Sequence, residues 1–161
     1  MKTTGFKRAA YVRPPVSLPR RVRAVATTVI DGPGLIQPKT MQHRNTHLLS
    51  MARGMPCLMR VPGVCQGGTE TTVAAHSNWA MHGKSGARKA DDCYSVWSCA
   101  ACHIGWLDQG KSSKVDKQVA FMAGHVRQVE QWRLIVSEPS AKLADKKSAQ
   151  WALNLLSAAF I

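Results

Sequence analysis

The feature that most constrains this chain is its cysteine spacing. Cys57 and Cys65 are separated by seven residues, and Cys99-Ala100-Ala101-Cys102-His103 follows further on. Two thiolates two residues apart can grip one tetrahedral metal from a tight turn. The Cys57–Cys65 interval is wider, but Pro62-Gly63 inside it is a turn signal, and a hairpin there brings its ends together. Four thiolates then close a structural Zn²⁺ site that ties the hairpin to a helix starting after Cys102. The fifth cysteine, Cys93, sits in an apolar run and reads as a small buried hydrophobe. Folding of a small domain stapled in this way depends on metal.

Cys-x-x-Cys-His is also the attachment pattern for c-type haem. That chemistry needs export, and the segment Met1 to Arg23 is broken by Pro14, Pro15 and Pro19 and by Arg13, Arg20 and Arg21, so it does not read as a secretory signal. Haem would also leave Cys57 and Cys65 without a role. The expectation is a protein of the reducing cytoplasm, where cysteines point to metal rather than disulfides. No apolar run is long enough to span a bilayer, so no membrane partner is expected.

Charge narrows the partner. Lys and Arg number 22 against 9 acids, a net +13, which favours a polyanion, nucleic acid before anionic membrane. The 161 residues hold one domain with extensions. Residues 1–46 are rich in Pro, Arg, Lys and Thr, with Asp31 the only acid, and read as a basic, flexible arm. A short strand over Val25–Ile30 is expected inside it. Residues 47–112 form the core and 113–161 a helical extension.

Within the core, a helix is expected from Thr46, as cap, to Arg53, stopped at Gly54. Leu58, Met59 and Val61 favour a strand. Thr71 to Ala75 form a second, which delivers His76, and Cys93 to Trp97 a third, which leads into the cysteine pair. Beyond the core, Ser113-Lys-Val-Asp116 resembles a capping box with Asp in place of Glu. Val115, Val119, Met122, Val126, Val129 and Val136 then mark one face of a packing helix. Glu138-Pro139 ends that helix, and a second runs from about Ser140 to Phe160 with Ala144, Trp151, Leu155 and Ala159 along its stripe.

A histidine ending a strand and another opening the next helix are the two ends of an HNH-type nuclease site. In such sites the first histidine is a general base towards water, the second holds a divalent metal, and a residue between them orients the base. Here these are His76 and His103.

The run from Leu48 to Gly110 resembles the small phage and prophage HNH-type nuclease family that includes YbcO-like proteins. The matching pieces are Ala52-Arg53-Gly54, Cys57, Arg60-Val-Pro-Gly-Val-Cys65, Glu70-Thr-Thr, Ala75-His76-Ser77-Asn78, Gly83-Lys84, Lys89-Ala90 with Asp92, Cys99-x-x-Cys102-His103 and Asp108-Gln109-Gly110. They cover somewhat under half of the chain. The resemblance implies an α+β fold with a ββα-metal (His-Me finger) core, a zinc held by Cys57, Cys65, Cys99 and Cys102, and a metal-dependent nuclease site.

Two positions depart from the generic pattern. Ala75 stands where many such enzymes carry a metal-binding Asp or His, and Asp92 occupies the middle, usually Asn, position. The expected ligands of a catalytic Mg²⁺ or Mn²⁺ are His103 and Asp92, with Asp108 or His82 next. Asn78 is expected to orient His76 or to touch a phosphate, and Lys84, Arg88 and Lys89 to contact phosphates. The leading expectation is a phage or prophage endonuclease that hydrolyses DNA phosphodiester bonds in recombination, replication or packaging. The alternative, kept open by Ala75, is a non-catalytic zinc-finger protein that binds nucleic acid. Substrate form and oligomeric state are not legible from the residues.

Overall fold

A computed structural model describes residues 41–158. The expected basic arm, apart from its last few residues, and the strand over Val25–Ile30 lie outside the described residues.

The first element among the described residues is α1 (Thr46–Ser50). Its cap is Asn45 rather than Thr46: the Asn45 side chain accepts from the Leu48 amide at 3.0 Å, satisfying an otherwise orphan helix donor. Turns continue to Gly54, whose φ of 75° ends them.

The segment from Cys57 to Cys65 does not form the expected strand. It is an irregular loop whose Leu58, Met59 and Val61 side chains are buried. Its polar groups are satisfied from two directions. The Leu58 and Met59 amides both donate to the Trp97 carbonyl, at 2.8 and 3.3 Å. The Leu58 and Met59 carbonyls accept from the Arg127 guanidinium, at 2.7 and 2.9 Å. With those groups taken by a helix side chain, no ladder can propagate.

The sheet has two strands, β1 (Val73–His76) and β2 (Ser95–Ser98), paired antiparallel with His76 opposite Ser95 and Ala75 opposite Val96. Between them lie a 3₁₀ turn (Ala80–His82) and a small hairpin closed by pairing of Ser85 with Arg88. After Cys99, the backbone winds as a π-helix over Ala101–Asp108. It ends at Gly110, where any side chain would run into the Trp106 backbone.

Two long helices follow, α2 (Lys114–Ser137) and α3 (Leu143–Ala158). The Ser113 cap holds, without the reciprocal half of a capping box: Ser113 Oγ accepts from the Asp116 amide, and the Asp116 carboxylate meets the Ser113 hydroxyl at 2.7 Å. The expected valine stripe does not. Val115, Val119, Met122 and Val126 are exposed, Val126 at 67%. The buried face carries Phe121, Gly124, His125, Gln128 and Trp132.

The reason is that α2 must serve β2. Gln128 Oε1 accepts from the Trp97 amide at 2.9 Å, and His125 Nε2 donates to the Cys93 carbonyl at 2.8 Å. Gly124 lets the helix approach Val96 and Met59 so closely that a Cβ would lie 3.1 and 3.2 Å from their atoms. Buried β2 needs hydrogen-bond partners, so polar side chains turn inward.

On α3 the buried stripe is Ser148, Ala149, Ala152 and Leu156, one position off the expected one: Ala144 is exposed, and Trp151 and Leu155 are half-buried. One core gathers the cysteine loop, the sheet, Leu107 and Phe121. A second joins Leu48, Cys93 and Trp132 to α3. No helix among the described residues is long and apolar enough to cross a membrane.

Candidate active site and metal centre

Cys57 and Cys65 bracket the irregular loop, Cys99 ends β2's run, and Cys102 lies on the π-helix. Their four sulfurs lie within 4.8 Å of one another, and Cys57, Cys99 and Cys102 are buried. No other convergence of three or more such ligands occurs among the described residues. The turn that closes the loop is built by the Val64 and Cys65 amides on the Val61 carbonyl.

Burial opposes ionisation of Cys99, but the backbone of Cys102 and of Gln66 outweighs it and brings the thiol down to about 7. Burial pushes Cys65 and Cys102 up. Four sulfurs this close can all ionise only around a cation, and soft tetrahedral thiolate sets suit zinc. The cluster can therefore hold a metal such as zinc. Cys93 lies apart from it, pushed up to about 12 by burial and then by the Asp91 charge, as an inert thiol should be.

The same hairpin positions the polar site. β1 delivers His76, whose Nε2 lies 2.9 Å from Asp92 Oδ1. Asp92 is almost wholly buried and also accepts from Arg44 Nη1 at 2.7 Å and from the Asn45 amide at 2.6 Å. Burial works against the carboxylate, but the donors from His76, Asn45 and Arg44 outweigh it and hold its pKa below the usual value. An ionised carboxylate only accepts, so His76 Nε2 is the donor, and in the neutral ring Nδ1 is the nitrogen with the lone pair.

His103, on the π-helix, has Nε2 at 3.4 Å from Asp108 Oδ2. Asp108 also accepts from Asn78 Nδ2 at 2.9 Å. Burial favours the neutral ring of His103, against the opposing pull of Asp108. Its Nδ1 is buried without a partner.

His76, Asn78, His103 and Asp108 all line one cleft of about 700 Å³, together with Lys84, Lys89 and Arg53. Its wall on the α1 side is Thr46, Leu49 and Ser50. Of the residues expected in a single site, the structure thus brings His76, Asn78, His103, Lys84 and Lys89 together.

Four expectations are revised. Asp92 does not stand beside His103 as an open ligand; both its oxygens are engaged by protein donors, one of them His76. Arg88 lines a second cleft rather than this one. His82 also turns away: it is buried, bonded to Ser77 Oγ at 2.6 Å and stacked on Tyr94 at 4.1 Å. Asn78 reaches Asp108, not His76. Ala75 is fully buried opposite Val96, which suits its small apolar side chain.

Arg44 and Asn45 were not foreseen, because they follow a tail with no periodicity. Their only signal was an Asn immediately before a helix.

The family model described as "Putative nuclease YbcO" matches residues 46–136, more than half of the chain. The chain belongs to the YbcO nuclease family. Two relatives carry that description, one from Escherichia coli K12 and one from Enterobacteria phage 82. Each is 34% identical over 83 residues, covering 50% of this chain and 75% of the relative. A solved structure of a putative bacteriophage protein from E. coli K-12 matches at 28% identity and a TM-score of 0.40, covering 52% of this chain and 91% of that one. The YbcO match takes in all four clustered cysteines, His76 and His103, and stops before α3.

Proposed function

We propose that this protein is a metal-dependent endonuclease of the HNH type that hydrolyses DNA phosphodiester bonds in a phage or prophage setting, in recombination, replication or packaging. The observation that carries this reading is the opposition of two histidines across one cleft, His76 locked through Nε2 and His103 paired with Asp108.

His76 Nδ1 takes a proton from water, a role typically worth about 10² to 10⁴ in rate. Asp92 holds the ring in the tautomer that frees Nδ1 and stabilises the imidazolium that forms. His103 and Asp108 would hold Mg²⁺ or Mn²⁺. Their 3.4 Å separation would put both donors within reach of one cation. A divalent ion there supplies charge neutralisation at the phosphate and at the leaving oxygen. Lys84, Lys89 and Arg53 contact the phosphates. Zinc on Cys57, Cys65, Cys99 and Cys102 is structural and fixes the π-helix that carries His103.

The test is plasmid nicking by purified protein with Mg²⁺ or Mn²⁺, beside His76→Ala. The expected result is cleavage by the wild type and loss in the variant, with zinc and DNA binding retained. A zinc-replete wild type that binds DNA but never cuts it would favour a non-catalytic zinc-finger protein instead. A folded His76→Ala protein cutting at the wild-type rate would remove His76 from the mechanism.

A further inference from the structure

We propose that Arg44 is a positioning residue for this site, locking the Asp92 carboxylate that sets the tautomer and aim of His76. The inference rests on the reading of His76 as the base.

The geometry is specific to an arginine. One guanidinium nitrogen, Nη1, donates to Asp92 Oδ1 at 2.7 Å and to the Ala90 carbonyl at 2.7 Å. The other, Nη2, donates to the Lys89 carbonyl at 3.0 Å. A planar fork can hold three acceptors in one plane, which an ammonium on a flexible stem cannot. Oδ1 is therefore shared between Arg44 and His76, while Oδ2 is held by the Asn45 amide. The Asp92 amide in turn donates to the His43 carbonyl.

The stretch His43 to Asn45 thus clasps Lys89 to Asp92 from outside the hairpin. Remove the guanidinium, and Oδ1 keeps only His76. Oδ2 keeps the Asn45 amide, so what is lost is the charged partner on the edge that His76 shares, in a carboxylate that is itself buried. The edge that faces His76 is then held less firmly, and the aim and tautomer of the ring are less sharply set.

Arg44 does not line the cleft, so its effect on substrate passes through Asp92 rather than by contact. It also lies before residue 46, where the family match begins. The bland alternative is a surface tie that merely holds two segments together. The two roles predict different readouts.

The experiment compares wild type, Arg44→Gln and Arg44→Lys, all zinc-loaded. Two measurements are made: plasmid nicking with Mn²⁺, resolved into kcat and KM, and two-bond ¹H–¹⁵N spectra of the His76 ring. For Arg44→Gln the expected result is a fall in kcat of about 10- to 100-fold, the scale on which small misplacements act, with KM within about twofold. The His76 ring should pass from one Nε2-protonated tautomer to a mixture. Arg44→Lys, which keeps charge but not the fork, should fall between the two.

A folded Arg44→Gln protein with wild-type kcat and an unchanged His76 spectrum would overturn the proposal. So would a loss that appears only in KM or in melting temperature. If the wild type does not cut DNA, the catalytic reading fails by itself, and the proposal, as a statement about cutting, falls with it. The ring spectra then decide separately whether Arg44 sets the His76 tautomer.

Discussion

Lowering the pH from 7 to 4 should cost the folded domain up to about 3 kcal/mol through one side chain, His82. The ring is 5% exposed. It stacks on Tyr94 at 4.1 Å, faces Trp79 and Phe121, and is bonded through Nδ1 to Ser77 Oγ at 2.6 Å. Burial, and then the neighbouring His125, hold its pKa down from 6.5 to about 4. Between those values the unfolded chain binds a proton there and the native protein does not. The unfolded state therefore gains stability as pH falls, and the contribution present above pH 6.5 is lost progressively towards pH 4. At 1.36 kcal/mol for each pH unit, the loss approaches about 3 kcal/mol, as a ceiling.

The assay is urea unfolding at pH 7, 6, 5 and 4 for the wild type and for His82→Phe, which keeps an aromatic ring on Tyr94 but cannot titrate. Acid would also protonate the clustered thiolates and release any metal they hold. That component is shared by both proteins; burial also lowers His125, whose charge bears on His82. The difference between the two proteins reports His82 together with that coupling. Parallel plots of unfolding free energy against pH would refute the reasoning.

Asp92→Asn should lower stability by about 2 to 4 kcal/mol, because it leaves Arg44 and the Asn45 amide facing an uncharged, partly donating group in a buried site; thermal melting checks this, and an unchanged midpoint would count against it. Cys57→Ser should reduce bound zinc from one per chain to a small fraction and lower the melting temperature, read by metal analysis of protein purified without chelator. DNA affinity should fall with salt at about −0.9 in log–log slope per neutralised phosphate, and Lys84→Glu with Lys89→Glu should flatten the slope by about 2; binding indifferent to salt would oppose this. Gly124→Val should destabilise by about 1 to 3 kcal/mol, since even its Cβ would press on Val96 and on the Met59 backbone, and a gain in stability would show that α2 can slide.

Much of the cysteine cluster could be read from the chain because thiolate chemistry is stringent. Few roles suit four cysteines at these spacings in a basic chain, and the turn signal at Pro62-Gly63 told which ends would meet. His76 and His103 were legible for a related reason, since each sits where a strand or a helix adjoins the cysteine staple. The valine spacing on α2 misled, because periodicity reports an apolar face but not whether a partner for that face exists within the chain. The expected strand over Leu58 to Val61 failed similarly: β propensity cannot foresee an arginine on another helix taking the carbonyls.

By itself the sequence determined the composition of the site: a polyanion-seeking charge, a four-thiolate cluster, two histidines at element ends, and the Ser113 cap that starts α2. These depend on short spacings along the chain, where covalent geometry limits the options. The tertiary structure alone decided which acid serves which histidine. Asp92 closes on His76 through Arg44 and Asn45, Asp108 closes on His103, and His82 withdraws into an aromatic stack. The ties of Arg44 and Asn45 to Asp92 cross more than 40 residues of sequence, while Asp108 lies on the same π-helix as His103. Burial separates the two acids: a carboxylate sunk in the protein, as Asp92 is, needs every nearby donor, whereas Asp108 at the cleft is more exposed and meets His103 only at 3.4 Å.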